Sequence, residues 1–504
     1  MHPQRRNGLF RLAVCRRGKV GVRVEVEPRF DYGASPARWT RRGGCWEAAA
    51  GESRAALRGA AGLAADGGRL EGAVELARGR CLPLAFVFGA RAPRPLDEDE
   101  ARESLRETAG FWRRWTSLAR YDGPRRAEVL RSALALKALI YEPTGAMVAA
   151  PTTSLPESLG GARNWDYRFA WVRDTSMVLE VLDRLGYGRE TAGFMAWLTR
   201  VIRRDRGALQ IMYGLRGERD LAERELPGLS GYADSRPVRV GNGAYRQLQL
   251  DVFGEALDTA WVFEKSGGVL TGAEWEVLAH LADVACARWR EKDAGIWEVR
   301  GGPRHFVYSK IMCWVAADRA LKLARAQSRA EPEERLARWR AAAREIVESV
   351  TTDGWCEAKK SFAQSYGSDA LDASVLMVGL TGMLPPDDPR VVSTLDAVLR
   401  ELGDGPLVAR YRSADGLAGA EGSFLLCGFW AVELLTRMGR LREARERFDA
   451  LLALAGPLGL FSEEIEAKTR TALGNYPQAL THVGVIYAAW TLAKAERDAR
   501  AARR

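Results

Sequence analysis

The 504-residue sequence predicts a mostly α protein: an antiparallel β domain over residues 1–95, a helical linker over 96–121 and a barrel of paired helices over 122–504. Three observations carry this. Near the N-terminus valine alternates with charged or small residues, the period-two signature of a half-buried strand. At about residue 96 the apolar period becomes helical and stays so. The helices are then evenly spaced, with glycine- and aromatic-rich loops between them and no repeat in sequence, which fits a repeat array poorly.

The elements follow in order. "KVGVRVEVEPRF" (19–30) reads as an alternating strand, and "CLPLAFVFG" (81–89) as a short apolar strand ended by glycine. "RRGG" and "ADGG" supply turns between them. In "LDEDEARESLRETAGFWRRWTSLARY" (96–121) acidic residues crowd the first turns and aromatics share a face, which suits a linking helix. Helices are expected over 127–142, 174–202, 248–265, 271–290, 306–327, 331–350, 368–382, 390–402, 421–438, 440–455 and 479–498. Closing such helices into a ring crowds their long loops at one end, around a pocket.

Bulk composition excludes several function classes. The net charge of +10 comes from 75 Lys and Arg against 65 Asp and Glu, and its excess is nearly all arginine spread along the chain. No zinc-finger spacing or RNA-binding signature accompanies it, so nucleic acid is not an expected partner. Seven cysteines (15, 45, 81, 286, 313, 356, 427) form no CxxC pair and read as buried free thiols. No stretch has the length of a membrane span, and the start lacks the apolar run of a signal peptide, so a cytoplasmic location without membrane attachment is expected.

Two loops carry the chemistry. "GIWEVRGGPRHFVYSK" (295–310) sets Glu298 beside Trp297 and ahead of Arg300, and "GLFSEEIEAKTRTALGNYPQALTH" (459–482) contains Glu463, Glu464 and Glu466. Two carboxyls from remote loops can face each other across a pocket, one protonated beside an apolar wall and one ionised and better hydrated. Glycoside hydrolysis demands this pairing. In "NWDYRFAWVRD" (164–174) aromatics can stack on sugar faces while Arg173 and Asp174 grip hydroxyls. The bland alternative is a set of structural ion networks in ordinary loops.

These loops resemble those of glycoside hydrolase family 15, the inverting glucoamylase-type enzymes whose bacterial members include trehalases and glucodextranases. The likeness also covers "PRFDYG" (28–33), "PTTSLPE" (151–157), the segment 209–258 and "EGSFLLCGFW" (421–430), in fixed order. It implies an (α/α)6 barrel behind a β-sandwich, Glu298 as general acid and Glu463 as general base. It implies that Arg173 and Asp174 hold the terminal glucose, that Tyr167 and Trp171 line its subsite, and that Arg410 in "VARYRSADG" reaches the same sugar. The implied reaction releases β-glucose from malto- or isomalto-oligosaccharides, with α,α-trehalose as the alternative substrate, and needs no cofactor or metal. The carboxyls are expected roughly 6.5–9.5 Å apart, leaving room for a water. The family's bacterial members begin with a longer strand-rich stretch, so the β domain here is abbreviated. Uncovered strand edges invite a homo-oligomer or a loss of stability.

Each assignment has a rival. Asp293 competes with Glu298, and Glu464 with Glu463, while Glu466 suits a cap. Asp174 can cap a helix, Arg173 can pair with Asp166, and Trp297 serves as a wall that raises the acid's pKa. Four scattered histidines (2, 280, 305, 482) support no zinc site, and His305 is expected to order the loop below Glu298. "VGNG" is not a nucleotide loop. Tyr232, Arg236 and Arg239 are expected to shape the rim of the pocket.

Overall fold

The structure, a computed structural model, describes residues 7–59, 62–89, 94–205, 208–417, 419 and 421–502. The chain forms two compact units, Met1–Ser117 and Leu118–Arg504.

Among the described residues of the first unit, eight strands build two antiparallel sheets. These are β1 (Gly8–Val14), β2 (Lys19–Val26), β3 (Arg38–Arg42), β4 (Cys45–Ala50), β5 (Ser53–Arg58), β6 (Ala64–Asp66), β7 (Arg69–Ala77) and β8 (Cys81–Phe88). One sheet runs β1-β8-β5-β4-β3 and the other β2-β7-β6. The valine alternation of β2 directs Val22, Val24 and Val26 into a core with Leu57, Leu70, Leu76 and Leu82, so the two sheets share one apolar filling. Arg42 pairs with Cys45 across a two-residue hairpin in which Gly43 and Gly44 take φ of +54° and +78°. Glycine suits that tight primed turn because both central residues need positive φ. The expected linking helix is α1 (Glu98–Ser117), which belongs to this unit. Arg58, buried on β5, grips Glu100 of α1 with two bonds of 2.8 and 2.7 Å.

The second unit is a ring. Its helices are α2 (Arg126–Leu139), α3 (Val172–Arg184), α4 (Gly188–Arg204), α5 (Asp251–Lys265), α6 (Gly272–Arg288), α7 (Val307–Ala326) and α8 (Glu333–Thr352). There follow α9 (Met377–Leu380), α10 (Pro389–Glu401), α11 (Leu425–Arg437), α12 (Leu441–Leu452) and α13 (Ala479–Ala501). The odd-numbered helices from α3 onward pack each on the next, and α13 packs back on α3, closing an inner ring of six. The even-numbered helices from α2 form the outer layer, giving an (α/α)6 barrel. Sequence explains the layers. Every residue of α11 but the last is buried, as an inner helix requires, whereas α12 buries only the stripe Ala444, Phe448 and Leu451.

Two expected helices differ. The single helix 174–202 is broken into α3 and α4 at Gly186, whose φ of +96° ends α3. The segment 368–382 is mostly loop, with a 3-10 turn at Ala373–Leu376 capped by Asp372 and only one α turn after it. All seven cysteines are free thiols. Among the described residues no helix is long and apolar enough to cross a membrane.

The loops preceding the inner helices supply the pocket described below, and short strand pairs tie them together. Ala170–Trp171 pairs with Met212–Tyr213, and Ser423–Phe424 pairs with Glu464–Ile465. The ring is tight. A Cβ placed on Gly254 of α5 would lie 2.2 Å from the carbonyl oxygen of Met312 on α7. Gly254→Ala therefore forces the two inner helices apart and is expected to cost about 1–3 kcal/mol in chemical denaturation, the range for overpacking.

Candidate active site

All nine residues singled out from the sequence line one pocket at the N-terminal end of the inner ring: Tyr167, Trp171, Arg173, Asp174, Trp297, Glu298, Arg300, Arg410 and Glu463. The stretch 164–174 delivers four of them because it runs along the mouth and turns into α3 at Trp171. Arg173 and Asp174 then occupy the first turn of α3, where the helix dipole favours the carboxylate.

Glu298 sits on the loop before α7 with φ of +58°, a left-handed backbone that is strained for a residue with a side chain. Gln247 Nε2 donates to its carbonyl oxygen at 3.2 Å and helps hold that turn. The Trp171 indole N–H donates to Glu298 Oε1 at 2.7 Å, and Arg173 Nη2 lies 3.6 Å from the same oxygen. The indole that touches this carboxyl is thus Trp171. The neighbouring Trp297 instead donates to Asp372 Oδ1 at 2.9 Å and packs against Phe424 and Trp430.

Arg173 forms the floor. It pairs with Asp174 at 3.2 Å, donates to the Ile296 carbonyl at 3.1 Å and to Gln249 at 3.2 Å, and faces Asp251 at 3.8 Å. Asp166, its expected rival partner, is taken by Arg168. Burial raises the Asp174 carboxyl against the pull of Arg173, and pushes Asp251 up to about 7.

Glu463 has the opposite setting to the one expected of a better hydrated carboxylate. It is 1% exposed, whereas the Glu298 side chain is 19% exposed. The reason is chain geometry: Glu463 precedes the paired residues Glu464–Ile465 and is covered by 474–475 and Tyr167. The Tyr167 hydroxyl donates to its Oε1 at 2.5 Å and the Asn475 backbone N–H to its Oε2 at 3.1 Å. Burial raises Glu463 to about 7, opposed by the Arg410 charge and these two donors.

Behind Glu463 lies a buried ionic cluster. Arg410 binds Glu421 through two bonds of 3.0 and 2.6 Å and stands 3.4 Å from Glu157 and 3.3 Å from Glu464. Glu157, Glu421 and Glu464 present oxygens within 4.8 Å of one another, a spacing that can suit a metal ion. Here the Arg410 guanidinium fills the position a cation would take. A second guanidinium, Arg163, grips Asp415 at 2.7 and 3.1 Å. Burial lifts Glu157 to about 8 and Glu464 well above its ordinary range.

At the rim the guanidiniums of Arg239 and Arg300 lie 4.8 and 5.3 Å from the ring of Trp165, which also lines the pocket. Arg239 is held by the carbonyls of Ala162 and Asn164. Tyr232 is well exposed and does not line the pocket. The rivals find other work. Asp293 is buried and accepts from the Leu250 N–H and the Ser309 hydroxyl, Glu466 accepts from the Thr469 N–H, and His305 stacks on Tyr366. His482 is buried between Ser132 and the Phe461 N–H.

The residues missed by sequence reasoning are Glu157, Arg163, Trp165, Tyr411 and Asp415. Glu157, Trp165, Tyr411 and Asp415 stood inside stretches already singled out. Arg163, Tyr411 and Asp415 matter through pairings more than 240 residues apart in sequence or within one loop, which no local pattern reveals. The raised pKa of Glu157 has a consequence for stability. A carboxyl lifted from 4.5 to about 8 by folding stabilises the fold fully below 4.5, and that contribution is lost as pH rises through 8. Glu157→Gln mimics the protonated form, so its melting temperature should gain on wild type progressively as pH is raised over this window, measured by calorimetry.

Comparison with known proteins agrees with the pocket. The chain matches the Glycosyl hydrolases family 15 model over residues 123–490. It is 44% identical over 508 residues to a trehalase of Mycolicibacterium smegmatis, covering 97% of this chain and 75% of that protein. A trehalase of Thermoplasma acidophilum is 44% identical over 392 residues, 78% of this chain and 67% of that one. Among solved structures, a bacterial glucoamylase complexed with acarbose has the same fold, with a TM-score of 0.68 at 15% identity over 89% of this chain and 73% of that one. The family match spans the whole run of loops that builds the pocket, and the chain belongs to glycosyl hydrolases family 15 and is a glycosidase.

Proposed function

We propose that this chain is an inverting α,α-trehalase. The observation that carries the substrate is the identity to trehalases across almost the full chain. Six relatives at 33–44% identity bear that name. They favour trehalose over the malto- and isomalto-oligosaccharides that the motifs suggested, because a pocket whose first ring is gripped by Arg173 and Asp174 accepts either and only the second ring distinguishes them.

In this reading one glucose of trehalose lies between Trp171 and Tyr167 with its hydroxyls on Arg173 and Asp174. Glu298 gives its proton to the glycosidic oxygen, the C–O bond breaks, and an oxocarbenium-like centre develops. A water on the opposite face attacks the anomeric carbon while Glu463 takes its proton. The Trp171 N–H and Arg173 support the carboxylate that Glu298 becomes, and Tyr167 orients Glu463. Inversion makes the attacked ring β-glucose, and the leaving ring departs as α-glucose.

Four measurements test this. Glu298→Gln and Glu463→Gln should each lower kcat on trehalose by about 10²–10⁴-fold, the usual contribution of a general acid or base. NMR during wild-type turnover should show equal initial amounts of the two anomers. Faster release of glucose from maltose or isomaltose than from trehalose would overturn the substrate reading and leave the glycosidase. Finally, a base whose carboxyl is lifted to about 7 must be ionised to act, so the acidic limb of kcat/KM should fall near that pH. Tyr167→Phe removes a donor to the charged form and should move the limb to higher pH.

A further inference from the structure

The helical unit holds a second cavity of about 660 Å³, partly open to solvent, that shares no lining residue with the substrate pocket. Helix α3 relates the two. Arg173 and Asp174 at its start line the pocket, while Ser176 and Met177 just beyond them, and Glu180 and Arg184 about 10 and 16 Å along from Arg173 at 1.5 Å per residue, line the cavity. Residues of α5, α7, α9, α11 and α13 supply most of the remaining wall. The volume falls within the usual range for a small-molecule site, about 300–1,000 Å³.

Its wall is patterned. Glu180 and Arg184 are the ninth and thirteenth residues of α3 and pair at 2.7 Å. Glu433 and Arg437 hold the same positions in α11 and pair at 2.5 Å. A third pair, Asp258 with Arg319, joins α5 to α7 at 2.6 Å. Six basic and five acidic side chains line the space, and Asp318 and Asp498 pair with Arg319 and Lys494 from its margin. Such a lining has no large net charge with which to select an ion. It does offer guanidinium N–H groups and carboxylate lone pairs side by side, which suits adjacent hydroxyls that both donate and accept.

Two further observations narrow the class. Trp261, Tyr487 and Trp490 are half-buried in the same wall, and the Arg184 guanidinium already lies 4.8 Å from the Tyr487 ring, so flat apolar faces border the polar pairs. Ser176, 3% exposed, lines the cavity with a hydroxyl that has no hydrogen-bond partner, and a buried hydroxyl left unpaired is costly.

From these features we infer that the far-end cavity is a second binding site, for an uncharged polyhydroxylated ligand of monosaccharide to disaccharide size. It stands whichever glucoside the pocket hydrolyses. Glucose, the sugar released at the pocket, is the natural probe, and binding here engages α3 and α11, the first of which also carries Arg173 and Asp174. Ser176 supplies one hydroxyl partner, the ion pairs supply the others, and the aromatic wall covers the ring.

Isothermal titration of the full chain with glucose to ~50 mM, enough to see a millimolar site, should resolve two sites per chain. Trp490→Ala and Ser176→Leu should each weaken one of them by at least about tenfold. Both variants should keep the other site and hold kcat/KM within about twofold at low substrate. One glucose per chain in the wild type overturns the inference, as does retention of both sites in both variants, or saturable sulfate binding that those variants abolish. Diffraction from wild-type crystals soaked in glucose decides the matter independently of how the variants fold: sugar density beside Ser176 supports the site, and only water there overturns it.

Discussion

The pocket depends on one buried guanidinium. Arg173 is held by the Ile296 carbonyl and Gln249 while it faces Glu298, Asp174 and Asp251. It therefore joins the loop that carries Glu298 to the helix that carries Asp174. A charge so enclosed is tolerable only while it is paired, and removing Arg173 would leave the three acids around it uncompensated. This is why the strained backbone at Glu298 persists: the carboxyl is fixed at its far end by Trp171 and Arg173, and the carbonyl by Gln247.

Glu298 and Glu463 differ in solvation, and the fold enforces the difference. Glu298 rides on a loop that faces the mouth, whereas Glu463 lies in a seam between strand pieces, with Tyr167 and Asn475 closing over it. Burial lifts the Glu463 carboxyl, and Arg410 and the two donors restrain the rise. The cluster behind it keeps more acids than cations close together, so part of that group holds protons at neutral pH. Electrostatic balance at Glu463 is thus set by the charged residues behind it.

Much of this was legible in the sequence, for identifiable reasons. Alternating valines and a change of period announce β2 and the helices because side-chain direction follows backbone period. Aromatic residues beside carboxyls in remote loops pointed to the pocket, because such runs are poor both as core and as ordinary surface. Burial was not legible. Glu463 is followed by two more acids within three residues, a local pattern that suggests a hydrated turn, yet the pairing of Ser423–Phe424 with Glu464–Ile465 seals it. The Glu298 contact expected of Trp297 falls to Trp171 for a similar reason: which indole meets Glu298 depends on how two loops 127 residues apart meet. The break at Gly186 was a glycine whose left-handed conformation only the packed helices reveal.

Closure of the ring also orders events during synthesis. The inner circle is complete only when α13 packs on both α11 and α3, and the loop bearing Glu463 lies just ahead of α13 in the chain. A ribosome-bound chain still lacking Ala479–Ala501 has a gap in its inner wall, and the apolar flanks of α3 and α11 stand open there. Because translation proceeds from the N-terminus, the long helical unit must wait for its final helix to seal, while the first unit has all its strands in hand much earlier. The same topology that gathers distant carboxyls into one pocket therefore delays catalytic competence until α13 has been made.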